Sequence, residues 1–252
     1  MKMSQEVYRE LLEVMKKRGG NYSGLDIPEF YALVEMLFTP EEAELNNAMP
    51  RGPFTASSMA EGLDRDAGEV ETKLEGMADK GLCVALKVED VQYYQSARFM
   101  PGILEFQFMS GKTSERAKQI AHVIHAYEEA FDANVGAKTV NYPPNRVITV
   151  DKAIEADNQV HTYDQVQTFI DKYDTIAVST CFCRHAAELR DEDTHGMPND
   201  VCMQFGMGAQ YAVDRLGARM VSKIEAREVL DRAEEAGLIH MSTNTTEDIG
   251  FL

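Results

Sequence analysis

Three of the four cysteines stand in one short stretch of the sequence. Cys181 and Cys183 flank Phe182 directly after a predicted apolar strand, and Cys202 follows later in the same region. Thiolates are soft ligands, so three of them in one neighbourhood favour zinc, copper(I) or iron–sulfur chemistry over magnesium or calcium. The sequence therefore predicts a soft-metal site formed by Cys181, Cys183 and Cys202.

Further residues in the same region fit such a site. Arg184 follows Cys183 directly, and a cation or amide donor near the sulfurs offsets the negative charge of a thiolate-ligated cluster, so we count Arg184 among the cofactor-binding residues. A closed zinc site and a cubane cluster each need four protein donors. His185 is the candidate substitute ligand, with His195 as a second nearby histidine. Cys83, remote in sequence, is interpreted as a small buried residue of a hairpin.

Two other interpretations of these cysteines stay open. The thiols can be buried and unligated, which cysteine tolerates well. They can also include a nucleophile, since Arg184 and His185 are able to lower a cysteine pKa, but no Asp or Asn can be tied to His185 from the sequence. The chain has no phosphate-binding glycine loop or dinucleotide fingerprint, and Gly206-x-Gly208 lacks a third glycine in register. We therefore expect no intrinsic catalytic site.

The composition limits the compartment and the partners. The 252 residues are 44% hydrophobic and carry a formal net charge of −17, a field that repels nucleic acid backbones and anionic membrane surfaces. The first eighteen residues alternate charged and apolar side chains and contain neither a membrane span nor a cleavage signal. Four cysteines are too few for a disulfide scaffold. We expect a globular cytoplasmic protein that does not bind nucleic acid or membranes.

The sequence pattern of residues 1–110 predicts a winged-helix-like domain. Helical periodicity marks three segments before residue 50, and a helix, a turn and a second helix then precede two strand-like runs. This order is that of a winged helix. The predicted helices cover residues 5–17, 28–38, 40–49, 55–62 and 67–80, and the strands cover residues 82–88 and 91–96.

The predicted winged helix is too acidic for DNA. Residues 55–80 contain seven acids against Arg65, Lys73 and Lys80, and such a surface would be repelled by phosphates. Docking to a protein or within the chain is the favoured role. A metal- or redox-responsive transcriptional regulator is the alternative, and it requires a basic patch.

The rest of the chain predicts a connecting segment and an α/β domain. Residues 111–144 contain a long helix, over 113–131, and a linker ending at Tyr142-Pro143-Pro144-Asn145. Residues 145–252 form the cysteine-containing domain. Its predicted strands cover residues 146–150 and 175–179, and its predicted helices cover residues 164–172, 201–216 and 222–236. The fold class is α/β (α+β) with two parts.

Four runs of the sequence resemble a family of ferredoxin-type iron–sulfur proteins found in anaerobic bacteria and archaea. The runs are Ala177–His185 (AVSTCFCRH), Asp200–Gly206 (DVCMQFG), Ile224–His240 and Phe99–Gln107. The resemblance covers most of the chain. It implies a [4Fe-4S] cluster on Cys181, Cys183 and Cys202, and electron transfer to a redox partner protein or an oxidoreductase subunit.

The resemblance also implies a continuation of the chain. Members of the family extend, just after the position of Leu252, into a cysteine-rich segment and a ferredoxin domain with two further clusters. The fourth cluster ligand is then expected from that segment, and this chain is expected to be a fragment or a shortened relative. The alternative for the cysteines is a zinc-stabilised interaction module. Self-association stays open.

Overall fold

The protein folds into two units. The computed structural model describes residues 2–19, 24–135, 145–147 and 166–243. The first unit contains the described residues of Met1–Phe108, Lys112–Lys138 and Leu189–Asp191, and the second contains those of Met109–Gly111, Thr139–Glu188 and Glu192–Leu252.

The first unit is mostly helical and includes one hairpin. Its elements are α1 (Lys2–Arg18), α2 (Pro28–Leu37), α3 (Pro40–Ala48), α4 (Ala56–Leu63), α5 (Ala67–Asp79), β1 (Cys83–Val88), β2 (Val91–Ser96), α6 (Leu104–Phe106) and α7 (Glu115–Val135). β1 and β2 pair antiparallel, with Val88 opposite Val91. Glu89 and Asp90 form the turn at φ of 47° and 66°, as two-residue hairpin loops require. Helices α4 and α5 followed by this hairpin give the winged-helix-like order that the sequence predicts.

An aromatic cluster forms much of the core of the first unit. Phe30 of α2 lies 5.5 Å from Phe99 and 6.0 Å from Tyr127 of α7, measured between ring centroids. Phe99 and Tyr127 meet edge to face at 5.6 Å. All three rings are almost fully buried, and such pairs add to the stabilisation that burial alone provides. The long helix α7 therefore packs against α2 within the first unit.

One carboxyl group is buried beside this cluster. Glu105 of α6 is 7% exposed, and its Oε2 accepts a hydrogen bond of 2.7 Å from the Gly102 N–H. Burial raises the pKa of Glu105 to about 7, and the charge of Glu128 on α7 acts in the same direction. The hydrogen bond from the Gly102 N–H lowers the pKa of Glu105 but does not cancel the effect of burial. The burial of Glu105 was not predicted, because a glutamate within an aromatic segment looks the same in the sequence whether it is buried or exposed.

Helix α3 begins with a capping box. The Thr39 Oγ1 accepts the Glu42 N–H at 3.2 Å, and the Glu42 carboxylate accepts the Thr39 N–H at 2.9 Å. We expect Thr39→Ala to lower the free energy of unfolding of the first unit by about 1 kcal/mol, because the Glu42 N–H in the first turn of α3 loses its partner. Urea unfolding followed by circular dichroism measures this value.

The matched control for this prediction is Thr72→Ala. Thr72 is exposed in α5, and its hydroxyl bonds back to the Gly68 carbonyl within the helix at 2.8 Å. Removing this bond leaves no helix N–H unpaired, so the change in stability should stay within about 0.5 kcal/mol. Equal losses in the two variants would contradict a capping role for Thr39.

The second unit is built around a three-stranded antiparallel sheet of order β5-β4-β6. A second sheet pairs β3 with β7 antiparallel. The elements are β3 (Asn145–Val147), α8 (Val166–Lys172), β4 (Ile176–Ser179), α9 (Phe182–Leu189), β5 (Cys202–Phe205), α10 (Gly206–Arg215), β6 (Arg219–Val221), α11 (Lys223–Glu235) and β7 (Met241–Thr243).

The two faces of the three-stranded sheet differ in chemistry. Successive side chains of a strand point to opposite faces, so Val178 and Met203 share the face that packs on α8 and α11, where they join the buried apolar cluster. Ser179 and Cys202 pair on the other face, and Gln204 lies two residues beyond Cys202 on that same face. The cysteine region therefore begins at the polar face of a sheet whose opposite face is anchored in the core.

The structure corrects one prediction in this unit and adds a helix. Residues 202–205, within the helix predicted at 201–216, form strand β5, because their backbone groups pair with β4 and α10 begins only at Gly206. The segment after Cys181, for which no element was predicted, forms helix α9. Four strand residues leading directly into a helix give too short a period-two pattern to be recognised.

The other predicted elements of the second part are found where the structure describes the chain. The strand predicted at 175–179 is β4, and the helix predicted at 222–236 is α11, whose capping box joins Ser222 and Glu225. Residues 148–150 and 164–165 of the predicted strand and helix, and the linker at Tyr142-Pro143-Pro144, lie outside the described residues.

The fold class that the sequence predicts, mixed α and β with a winged-helix-like first part, is confirmed. Among the helices in the described residues, none combines the length and the apolar character that crossing a bilayer requires.

Candidate metal centre

Cys181 stands where β4 gives way to α9. It directly precedes the first helical residue, Phe182, and its carbonyl accepts the first helical hydrogen bond from the His185 N–H at 2.9 Å. Cys181 is therefore the N-cap of α9. Cys183 lies in the first turn of the helix and is exposed, whereas Cys181 is only 6% exposed.

Strand pairing brings Cys202 back to the same place. Cys202 is the first residue of β5 and pairs with Ser179, two residues before Cys181. The segment just before Cys202 is also hydrogen-bonded to Cys181, because the Cys181 N–H donates to the Asn199 carbonyl at 2.5 Å. The loop between α9 and β5 thus ends beside Cys181.

The side chains of Cys183 and Cys202 affect the pKa of Cys181. The Cys183 and Cys202 thiols each bond the Cys181 sulfur, and these bonds lower the pKa of Cys181 far below its ordinary value, against the opposing effect of burial. The bond to Cys181, burial and the negative charges of the other sulfurs raise the pKa of Cys202. The opposite directions favour the thiolate at Cys181 over the thiolate at Cys202.

The N-terminal end of α9 supplies further donors. The Arg184 N–H donates to the Cys181 sulfur, and the Phe182 N–H donates to the Cys202 sulfur. Helix N-terminal amides carry partial positive charge and stabilise thiolates. The Arg184 guanidinium adds a full positive charge that lowers the Cys181 pKa. Its Nε is buried and has no hydrogen-bond partner within the described ranges.

Residues that the sequence analysis missed hold the strand end in place. Thr180, just before Cys181, donates its N–H to the Met109 carbonyl at 3.3 Å. Gly111 lies so close that a Cβ placed there would sit 2.7 Å from the Thr180 Oγ1, and its φ is +65°. A glycine is therefore required at residue 111 for this approach. No sequence signal linked residues 109–111 to the cysteines, because the contact depends on tertiary structure.

Gln204 is the other residue that was missed. It is 2% exposed, and its Nε2 donates to the Ser179 Oγ at 3.0 Å and to the Cys202 carbonyl at 3.2 Å. The two acceptors fix the orientation of the amide, since a carbonyl cannot donate to the Oε1 of a flipped group. Gln204 thus ties the backbone at Cys202 to β4. A glutamine within an apolar run was the available signal.

The other predicted ligand candidates lie in different environments. His185 is 4% exposed, and its Nδ1 lies 3.6 Å from the Glu188 carboxylate. His195 is exposed in the loop, with its Nδ1 3.0 Å from the Asp193 carboxylate. Cys83 belongs to the first unit, is fully buried in β1, and donates its S–H to the Leu74 carbonyl at 3.6 Å. The ligand role of His185 stays a prediction.

The backbone segments that carry Cys181, Cys183 and Cys202 meet at the junction of β4, α9 and β5. Over the described ranges, no group of three or more His, Cys, Asp or Glu side chains is arranged to hold a metal ion. None of the four cysteines forms a disulfide. The chemistry of the donors nevertheless fits a soft thiophilic group, because two sulfurs accept backbone N–H bonds and a guanidinium lies beside them.

The three basic residues of segment 55–80, Arg65, Lys73 and Lys80, are all paired with acids and add no unpaired positive charge to the winged-helix-like region. Each of these side chains forms an ion pair with a glutamate of α3. The pairs are Arg65–Glu44 at 2.9 Å, Lys80–Glu42 at 2.7 Å and Lys73–Glu41. Binding DNA would require breaking these pairs against the acidic field of α5.

Comparisons with known proteins add no identification: no family model, curated protein or solved structure matches the chain at a significant level.

Proposed function

We propose that this protein binds an iron–sulfur cluster through Cys181, Cys183 and Cys202 and passes single electrons to a redox partner protein or an oxidoreductase subunit. The observation that supports the proposal is backbone pairing: Ser179 pairs with Cys202 and the Cys181 N–H donates to the Asn199 carbonyl, so the two segments that carry the three cysteines meet where β4 ends. A [4Fe-4S] cluster is the type that the family resemblance implies, and when bound it supplies the one-electron chemistry. Cysteine ligands of a cluster bind separate iron atoms, so they do not need to surround a single point.

The residues around the thiols support this proposal through charge. A cluster ligated by thiolates is anionic, and a group that stabilises negative charge favours its reduced state. The Phe182 and Arg184 amides donate to two of the three sulfurs, and the Arg184 guanidinium lies nearby. These donors would raise the reduction potential. The exposed Cys183 gives a partner protein an approach to the site.

Three thiolates leave one ligand position to another donor. His185 is the candidate within the described residues, and the family resemblance suggests a cysteine beyond the position of Leu252. A three-iron cluster would need no fourth donor. We propose a cytoplasmic location for such a protein, because exposed thiols and clusters persist in reducing compartments.

Anaerobic reconstitution with iron and sulfide tests the proposal. After desalting, we expect iron and acid-labile sulfide in equal amounts, broad visible absorbance from sulfur-to-iron charge transfer, and an electron paramagnetic resonance signal after chemical reduction or oxidation. Retention of neither iron nor sulfide would contradict it. Zinc without iron, after strictly anaerobic purification, would instead support the zinc-stabilised interaction module.

A further inference from the structure

We propose that Asn199 and Gln204 are positioning residues that clamp the segment around Cys202 to the junction of β4 and α9. This inference rests on the proposed function, because it assigns a role to side chains that hold a ligand-bearing segment without binding the metal. Asn199 comes three residues before Cys202 and Gln204 two residues after it. The segment is therefore held on both sides of its cysteine.

Gln204 holds the segment to β4. Its Nε2 donates to the Ser179 Oγ at 3.0 Å and to the Cys202 carbonyl at 3.2 Å. One amide group thus joins a side chain of β4 to the backbone of Cys202, in addition to the pairing of Ser179 with Cys202 in the sheet. Gln204 is almost fully buried, and a hydrogen bond shielded from water is electrostatically stronger than an exposed one.

Asn199 holds the same segment to α9. Its Nδ2 donates to the Glu188 Oε1 at 2.7 Å, and its carbonyl accepts the Cys181 N–H. The Thr194 hydroxyl also donates to the Glu188 carboxylate, at 3.4 Å. Because Cys181 precedes the first residue of α9 and Glu188 lies near its last, these bonds fasten the loop to both ends of the helix.

The acceptor atoms of the two amides indicate that fold stability alone does not explain these residues. The Gln204 Oε1 and the Asn199 Oδ1 are buried and have no hydrogen-bond partner among the residues that the structure describes. A buried acceptor without a donor costs free energy, and an apolar side chain of similar size would avoid that cost. The contribution of both residues therefore lies in their amide nitrogens, which bond the segments around Cys202 and Cys181.

A clamp of this kind affects metal retention more than folding. Loss of a group that orients a metal ligand typically lowers metal affinity by about ten- to hundredfold. Without the Gln204 amide the Cys202 carbonyl is released, but the apolar face of the sheet is unchanged, since Val178 and Met203 stay in the core cluster. We expect such a variant to fold like the wild type and to lose its cluster faster.

The first experiment compares Gln204→Met with Gln210→Met in the full chain. Methionine resembles glutamine in length but donates no hydrogen bond. Gln210 is exposed in α10, where its Nε2 donates to the Asp214 carboxylate at 2.9 Å, so its replacement is the matched control. After reconstitution, Gln204→Met should release iron to a chelator about tenfold faster than wild type. Gln210→Met should release it at the wild-type rate, and both variants should keep the urea midpoint of the wild type.

Amide hydrogen exchange of the metal-free chain measures the clamp independently of the proposed function. The reporter is the Cys181 N–H, whose bond to the Asn199 carbonyl joins the two segments. Its exchange should be about tenfold faster in Gln204→Met and in Asn199→Ala, and unchanged in Gln210→Met. Faster exchange in a protein whose wild type retains neither iron nor sulfide would support the clamp and reject the cluster.

Three results would overturn the clamp. The first is unchanged exchange at the Cys181 N–H in both Gln204→Met and Asn199→Ala. The second is unchanged iron release from reconstituted Gln204→Met, and the third is a urea midpoint that falls together with iron retention, which would show a purely structural role. Asn199→Ala removes only the bond to Glu188, so it decides the question if Gln204→Met does not fold.

Discussion

Replacement of Cys181 by serine is expected to abolish cluster assembly while leaving the second unit folded. Cys181 lies at the junction of β4 and α9, two residues before Cys183 and bonded through its N–H to the segment that leads into Cys202. Its loss removes the central donor of the candidate site. Serine is a good N-cap residue, and its hydroxyl can accept the same N–H. We therefore expect at least a tenfold loss of bound iron and sulfide per chain with a change in unfolding free energy within about 1 kcal/mol.

The control for this prediction is Cys83→Ala. Cys83 is the one cysteine outside the candidate site, and alanine suits its fully buried position in β1. The control should retain wild-type iron and sulfide after reconstitution. If Cys181→Ser retained the cluster, or if both variants lost it, Cys181 would not be a ligand and the proposed function would fail.

Glu105→Gln is expected to stabilise the first unit above neutral pH. The folded-state pKa of Glu105 is raised from 4.5 to about 7 by burial, so folding opposes ionisation. Between these two values the unfolded chain loses a proton that the folded chain keeps. The free energy of unfolding therefore falls as pH rises through this window and levels off above it. The raised pKa corresponds to a loss of up to about 3 kcal/mol.

The variant removes this loss because glutamine does not ionise. Its side-chain oxygen can still accept the Gly102 N–H. Urea unfolding at pH 5 and pH 8 should show wild type and Glu105→Gln close together at the lower pH, and the variant more stable by up to about 3 kcal/mol at the higher one. Glu61→Gln, on an exposed position of α4, should differ from wild type by less than about 0.5 kcal/mol. Equal pH dependence in wild type and Glu105→Gln would show that Glu105 is already ionised when folded.

The ion pairs formed by the glutamates of α3 help to decide whether the partner is a protein or DNA. The glutamates of α3 neutralise the bases of the winged-helix-like region, whereas the exposed acids of α5, such as Glu69 and Glu71, stay available. A partner that docks on α5 would need a basic surface. Such docking suits a protein partner better than DNA, and the expectation that nucleic acid is not bound stays a prediction.

The local elements of the first unit were predictable from short stretches of the amino-acid sequence. Pro28 and the apolar period after it predict α2, Thr39 and Glu42 predict the start of α3, and the two-residue turn at Glu89-Asp90 predicts the hairpin. These features depend on interactions within a few residues, and capping, periodicity and turn chemistry are all readable at that range. The same holds for Ser222 and α11.

The assembly of the candidate site depends on long-range contacts that the sequence did not predict. Residues 202–205 became a strand because β4 offered backbone partners, and this pairing placed Cys202 beside Cys181. Helix α9 directed two amide donors at the sulfurs, and Gly111 closed the approach to Thr180. These contacts join segments far apart along the chain. Their energy comes from pairing and burial that no short window of sequence contains, which is why the residue types were predictable and their arrangement was not.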